Sequence, residues 1–167
     1  MKKISTFALS AFVIFTSQLT FAADVKLGDL QIKDAWVRAS VPGQTNGAGY
    51  LEISNKSTQS DRLISASSAS AKKVELHTVI TENGVAKMRE IKSIEVPAKG
   101  SVKLSPSNFH IMFIQLNAPF MHGVSVPVTL KFEKSGDVNV DFVVQPSTYN
   151  PTGSSSTPGN HGAKMSH

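Results

Sequence analysis

The sequence predicts an all-β protein, an antiparallel β-sandwich of about seven to nine strands. From Leu30 to Val144, turn-forming residues interrupt short apolar segments every 8 to 12 residues or so, a spacing typical of sandwiches. Several segments alternate apolar and polar side chains, and none keeps an apolar period of 3.6 residues. The pattern therefore favours strands over helices throughout this region.

Turn signals bound each predicted strand. Pro42-Gly43 and Asn46-Gly47 follow the first strand, which carries the single tryptophan, Trp36. Asn83-Gly84 separates two apolar segments and is a strong signal for a two-residue β-hairpin. The segment at 63–66 is the weakest of the set. The ten candidate segments from which these strands would form are 31–38, 49–54, 63–66, 74–80, 85–91, 94–96, 101–104, 110–116, 126–132 and 138–144.

We expect three regions along the 167 residues. Residues 1–22 resemble a secretory signal peptide, with Lys2 and Lys3 before an apolar segment and cleavage after Ala22. Residues 23–145 form the sandwich domain. Residues 146–167 are rich in Ser, Pro, Gly, Asn and Thr and are expected to form a disordered tail. The apolar segment of the signal is too short to span a bilayer, so we expect a soluble mature protein without a membrane anchor.

Charge and cysteine content narrow the classes of function. Without the two signal lysines, 15 Lys and Arg face 12 Asp and Glu, and no basic cluster with interleaved aromatics stands out. We therefore expect no nucleic-acid binding. The chain has no cysteine. This excludes disulfides, thiol chemistry, a bacterial lipid anchor on cysteine and a blue-copper site, which needs a Cys sulfur.

Four potential metal ligands occur within 36 residues: His77, Met88, His110 and Met112. His110 and Met112 are two apart in a predicted strand and so share a face. If Asn83-Gly84 forms a two-residue turn, Met88 faces Val79, one step along the same face from His77. Thioethers are soft ligands that select Cu(I), and imidazole also suits copper. Each pair could bind one ion, but the sequence alone does not show that the two pairs meet.

Taken singly, each of these residues has an ordinary structural explanation. A lone methionine in a strand is more often core packing than a ligand. His77 alone would be a partly buried surface histidine, and a His-x-Met strand could simply be buried on both faces.

Their spacing resembles a family signature. Ten residues separate His77 from Met88, twenty-one separate Met88 from His110, and one separates His110 from Met112. This spacing is similar to that of the PCu(A)C family of periplasmic copper chaperones. The segments at 35–39, 47–51 and 126–132 also resemble that family, and the similarity covers roughly residues 34–144.

The resemblance implies a cupredoxin-like or immunoglobulin-like sandwich that holds Cu(I) near its surface. His77, Met88, His110 and Met112 would be the four ligands. The partner implied is a copper acceptor, such as the CuA subunit of cytochrome c oxidase or a Sco-type protein. With the signal peptide, it implies a periplasmic location, and we expect a monomer.

Two further groups of donors lie outside this set. Met121-His122 has the simpler interpretation of an ordinary loop pair. The tail carries His161, Met165 and His167, and a disordered segment has no packing reason to contain them. They could form a secondary metal site that captures Cu(II) through imidazole.

Three classes of function compete. A copper chaperone is the main hypothesis, and a passive copper-sequestering or tolerance protein would use the same site. A sandwich module for protein–protein contact would make the His and Met positions incidental. An enzyme is disfavoured, because two His and two Met saturate Cu(I) and no Ser-His-Asp or paired-carboxylate motif stands out.

Overall fold

A computed structural model describes residues 23–151, and these form eleven strands. The strands are β1 (Val25–Leu27), β2 (Leu30–Arg38), β3 (Gly47–Asn55), β4 (Asp61–Ser67), β5 (Ala71–Glu82), β6 (Val85–Glu90), β7 (Ile94–Val96), β8 (Ser101–Lys103), β9 (His110–Leu116), β10 (Ser125–Phe132) and β11 (Gly136–Gln145). All ten candidate segments form strands within a few residues of their expected bounds, so the strand count exceeds the seven to nine expected. The eleventh, β1, was not predicted, because it lies before residue 30, where the region predicted to form strands begins.

The strands form one open mixed sheet in the order β6-β5-β9-β3-β2-β11-β10-β4-β7, with β1 beside β2 and β8 beside β3. The sheet folds over on itself, since β4 contacts β5 although the two lie far apart in this order. Leu63, Leu130, Ile53 and Ile111 from its different parts join one buried core. The all-β sandwich predicted from the sequence is confirmed.

One strand pairing departs from the purely antiparallel arrangement that was expected. β11 pairs with β2 in parallel, through Val143 with Trp36 and Val144 with Val37. The other half of β2 pairs with β1, and the register shifts between Lys33 and Trp36. Asp34, within that shift, has a φ of 49°. Such a bulge bends a strand, so β2 leaves its first neighbour and meets β11.

Trp36 and Tyr50 form a buried aromatic pair that lies outside the main hydrophobic cluster. Trp36 and Tyr50 face each other across β2 and β3, with ring centroids 4.5 Å apart. Tyr149 meets Trp36 edge-on at 4.9 Å, and the Arg38 guanidinium lies 5.9 Å from the Trp36 ring. The contact of Tyr149 with Trp36 lies four residues after Gln145, the last residue of β11. Residues 1–22 and 152–167, with the predicted signal peptide and most of the predicted tail, lie outside the described residues.

Candidate metal centre

Two histidines face each other on the outer side of the sheet, near one edge. Strand β5 pairs with β9 so that His77 lies opposite His110, and their ring centroids are 5.6 Å apart. Directly opposed residues on antiparallel strands project to the same face. Two strands that are distant in sequence therefore place the two imidazoles side by side, which the sequence alone could not establish.

Each of these rings has one nitrogen that makes a hydrogen bond and one that is buried without a hydrogen-bond partner among residues 23–151. His77 Nε2 lies 2.7 Å from Glu75 Oε2, and His110 Nδ1 lies 3.2 Å from the Asn108 carbonyl oxygen. A carboxylate and a carbonyl can only accept, so these two nitrogens carry the protons. In the neutral imidazoles, the free lone pairs are then on His77 Nδ1 and His110 Nε2. These are the two buried ring nitrogens that lack a partner.

His110 is the more enclosed of the two. Its side chain is 1% exposed, and burial lowers the pKa of its imidazole, although the hydrogen bond to Asn108 partly opposes the shift. The neighbouring His77 lowers that pKa further. The neutral, ligand-competent form of His110 is therefore favoured. Tyr50, whose own pKa is raised by burial, lies with its ring centroid 6.4 Å from that of His110 and walls the site on the β3 side.

Glu75 supports His77 from within the same strand. The two residues are two apart in β5 and so share a face. Hydrogen bonds from Lys73, and secondarily from His77, lower the pKa of Glu75, so its carboxylate is ionised at neutral pH. The result is a Lys73–Glu75–His77 chain along one face of β5.

The two methionines flank the histidine pair on opposite sides. Met112 lies opposite Glu75 in β5 and Ala48 in β3, and its side chain is half-buried. Met88 lies opposite Val79, the position expected from the Asn83-Gly84 turn, and is 60% exposed. Val79 and Glu75 are four residues apart, roughly 13 Å along an extended strand. Met112 therefore lies on the same face as His110, two residues along β9, and the exposed Met88 lies on the other side of His77.

The other predicted donors are not part of this arrangement. Met121 is 65% exposed, in a loop that is hydrogen-bonded to Ser40 and Val144 on the far side of β3 and β2. His122 beside it is also exposed. His161, Met165 and His167 lie outside the described residues. Within 23–151, no group of three or more His, Cys, Asp or Glu is arranged so that it could hold a metal ion.

Sequence reasoning missed three groups around the histidines. Glu75 could have been found, because a carboxylate two residues before a histidine in a strand shares its face. Tyr50 and the Asn108 carbonyl had no such signal, since their proximity depends on how β3 and the loop before β9 meet His110.

Comparison with known proteins places the chain in a family. A family model described as "Putative lipoprotein LpqE-like" matches residues 30–144. The chain belongs to the LpqE-like family. A relative from Leifsonia xyli subsp. xyli, the "Putative lipoprotein Lxx21020", is 35% identical over 104 residues. The match covers 62% of this chain and 61% of that relative, so the chain spans about three-fifths of its length.

Several solved structures share the fold of this LpqE-like chain. The copper-bound PCuAC domain from PmoF2 is 26% identical with a TM-score of 0.65, covering 74% of this chain and 98% of that domain. The Cu(I) form of DR1885 from Deinococcus radiodurans is 28% identical with a TM-score of 0.57, covering 73% of this chain and 80% of that one. Apo-DR1885 is 26% identical at the same TM-score, covering 85% and 95%. The fold is therefore that of PCuAC domains.

Residues 23–151 include no helix that is long and apolar enough to cross a membrane.

Proposed function

We propose that this protein is a Cu(I) carrier of the copper-chaperone type, with His77, Met88, His110 and Met112 as its ligands. The observation that carries the proposal is the pair of buried, unpartnered nitrogens on facing imidazoles, His77 Nδ1 and His110 Nε2. A buried polar atom without a partner costs free energy, typically about 1–3 kcal/mol. A metal ion between the two rings would satisfy both atoms at once.

The donor set favours Cu(I) over harder ions. Thioether sulfur and imidazole nitrogen are soft to borderline donors, whereas Mg²⁺ and Ca²⁺ require oxygen ligands. A thioether has no proton to lose, so its binding is free of proton competition, and it cannot be consumed by disulfide formation. The copper-bound state of the PmoF2 domain and the Cu(I) state of DR1885 support the same assignment here.

The two methionines would have different roles in loading and release. Met112 sits beside His110 before copper arrives, so it would help to capture the ion together with the histidines. Met88 is exposed on β6, whose six residues are all exposed at the edge of the sheet. It would bind last and leave first, which lets an incoming thiolate replace it without releasing free copper.

We further propose delivery to a copper acceptor outside the cytoplasm. The predicted signal peptide and the lipoprotein descriptions of the family and its relative favour export, with the periplasm as the site of action. The recipient proposed is the CuA centre of cytochrome c oxidase or a Sco-type protein. Two nitrogen and two sulfur ligands leave Cu(I) without an open position, so a carrier is proposed and not an enzyme.

The tail donors His161, Met165 and His167 are proposed as a secondary site for Cu(II). Two imidazoles on a polar segment would bind it only modestly. A chain ended at Pro151 should then keep its Cu(I) site and lose only the weaker Cu(II) binding, measured by isothermal titration calorimetry. Equal Cu(II) binding with and without the tail would remove this part of the proposal.

X-ray absorption spectroscopy of the Cu(I)-loaded full chain tests the ligand set. We expect two nitrogen and two sulfur neighbours for the wild type, and one sulfur fewer for Met88→Ala. Met121→Ala removes an equally exposed thioether and should leave the spectrum unchanged. A spectrum without sulfur would overturn the assignment.

A transfer assay separates delivery from sequestration. The Cu(I)-loaded protein is mixed with a reduced dithiol acceptor domain of the CuA or Sco type, and copper is measured in each after separation. Rapid transfer, at a rate that rises with acceptor concentration, supports ligand exchange. Copper retained by the carrier at excess acceptor would favour the sequestering or tolerance function.

A further inference from the structure

We infer that Glu75 is a positioning residue that fixes which ring nitrogen of His77 receives copper. This inference rests on the proposed function. Glu75 would hold the proton of His77 on Nε2, so that copper meets Nδ1 of His77 but Nε2 of His110. The two histidines would therefore bind one ion through opposite ring nitrogens.

The geometry of Glu75 is specific to this role. Its Oε2 lies 2.7 Å from His77 Nε2, and both side chains are largely buried, 10% and 14% exposed. The carboxylate can only accept, so it favours the tautomer with hydrogen on Nε2. The remaining nitrogen, Nδ1, is buried and has no hydrogen-bond partner. Glu75 thus leaves a lone pair on the one His77 atom that no protein group uses.

Lys73 holds Glu75 in this position. Its ammonium contacts Oε1, the carboxylate oxygen that His77 does not use. With one oxygen bound to Lys73 and the other to His77, the carboxylate cannot rotate freely toward solvent. Lys73 itself is 61% exposed, so the chain runs from the surface inward to the imidazole.

The tautomer of His110 is fixed by a different kind of acceptor, a backbone carbonyl. The Asn108 carbonyl accepts from Nδ1 at 3.2 Å and leaves Nε2 free. Backbone fixes one ring and a side chain fixes the other. A side-chain substitution can therefore free the tautomer of His77, whereas the backbone acceptor of His110 remains whichever side chain is changed. Partners of this kind typically change metal affinity 10- to 100-fold when they are removed.

The test uses NMR of the imidazole nitrogens in the full-length, copper-free protein, followed by Cu(I) addition. Long-range ¹H–¹⁵N spectra at neutral pH distinguish the two tautomers of each ring. Glu75→Leu removes the acceptor while keeping similar volume, and Glu75→Gln keeps an acceptor without the charge. Glu90→Gln is the matched control, because Glu90 is the cross-strand partner of His77 on β6 and no hydrogen bond joins the two in the structure. Circular dichroism and thermal unfolding establish that each variant is folded.

We expect wild type and Glu90→Gln to show His77 with its proton on Nε2, and Cu(I) to shift Nδ1 of His77 and Nε2 of His110. Glu75→Leu should show a mixture of His77 tautomers and bind Cu(I) about 10- to 100-fold more weakly. Glu75→Gln should fall between the two. An unchanged tautomer and unchanged affinity in folded Glu75→Leu would overturn the role of Glu75. Failure of the wild type itself to bind Cu(I) would instead refute the proposed function.

Discussion

At the scale of single residues, His110 shows a conflict between folding and metal binding. It is 1% exposed, yet its Nε2 has no partner among the described residues. A leucine of similar size would bury no polar atom there. Leucine would also leave the Asn108 carbonyl without its imidazole donor, but Asn108 is exposed, so that oxygen can accept a hydrogen bond from water and the net cost should be small. The unpaired Nε2 therefore gives no stability to the fold, which agrees with the ligand role proposed for His110.

We predict that His110→Leu changes the free energy of unfolding of the copper-free protein by less than about 1 kcal/mol, while tight Cu(I) binding is lost. Leu130→Ala in the core, at a position that is 0% exposed, should cost about 2–5 kcal/mol and leave the Cu(I) affinity nearly unchanged. Urea unfolding and chelator competition measure the two quantities. A loss of several kcal/mol in His110→Leu would show that the histidine is structural.

At the scale of elements, the β5–β6 hairpin positions Met88. Asn83 and Gly84 both have positive φ, 53° and 77°, as a type I′ turn requires. This turn fixes the pairing of Val79 with Met88, and so it could be deduced from the sequence. The pairing of β5 with β9 could not, because β6, β7 and β8 lie between them in the sequence and no local signal joins the two. The hairpin was therefore predictable, and the meeting of the two donor pairs was not.

Two glycine substitutions compare backbone strain in the turn of this hairpin with the same strain in a turn elsewhere in the protein. Gly84 and Gly28 both have positive φ, and a Cβ on either would meet no atom within 4 Å. Each change to alanine should therefore cost about 1–2 kcal/mol from backbone conformation alone. Only Gly84→Ala should speed amide exchange in β6 and lower the Cu(I) affinity several-fold. Equal Cu(I) affinities in the two variants would show that the hairpin does not position a ligand.

At the scale of the whole molecule, Asp61 ties the start of β4 to the β10–β11 turn. It is 4% exposed and accepts hydrogen bonds from the backbone of Arg62, Lys134 and Ser135 and from the Ser135 hydroxyl. Burial acts to raise the pKa of Asp61, but these hydrogen bonds together lower it below its usual value. Since the folded pKa is the lower one, the ionised carboxylate stabilises the fold at neutral pH.

The lowered pKa of Asp61 determines how the free energy of unfolding depends on pH. The contribution of Asp61 should be fully present above its unfolded pKa of about 3.9 and should be lost as the pH falls through the lower folded value. Asp61→Asn should lower stability at pH 7 by about 1–3 kcal/mol and weaken the pH dependence below pH 4. Urea unfolding from pH 3 to 7 measures both. The same acid dependence in both proteins would exclude Asp61 as its source.

Over the whole chain, the sequence predicted the positions of the strands better than it predicted which distant strands pair. Alternation and turn residues located ten strands, but the parallel contact of β11 with β2 depends on the bulge at Asp34, which has no clear local signal. The ligand set came from a spacing that resembles a known family. The opposition of His77 to His110 emerged only with the fold, whereas Glu75 was missed although its position two residues before His77 could have indicated it.

The most direct test of one copper site built by both donor pairs is a Cu(I) competition titration of the full chain with a chromophoric chelator. We predict one tightly held equivalent, weakened at least about tenfold in His110→Ala and in Met88→Ala. Met121→Ala, the control for an exposed thioether, should bind as the wild type does. Affinity that is unchanged in Met88→Ala, or reduced equally in Met121→Ala, would contradict a site that joins the β6 methionine to the histidines of β5 and β9.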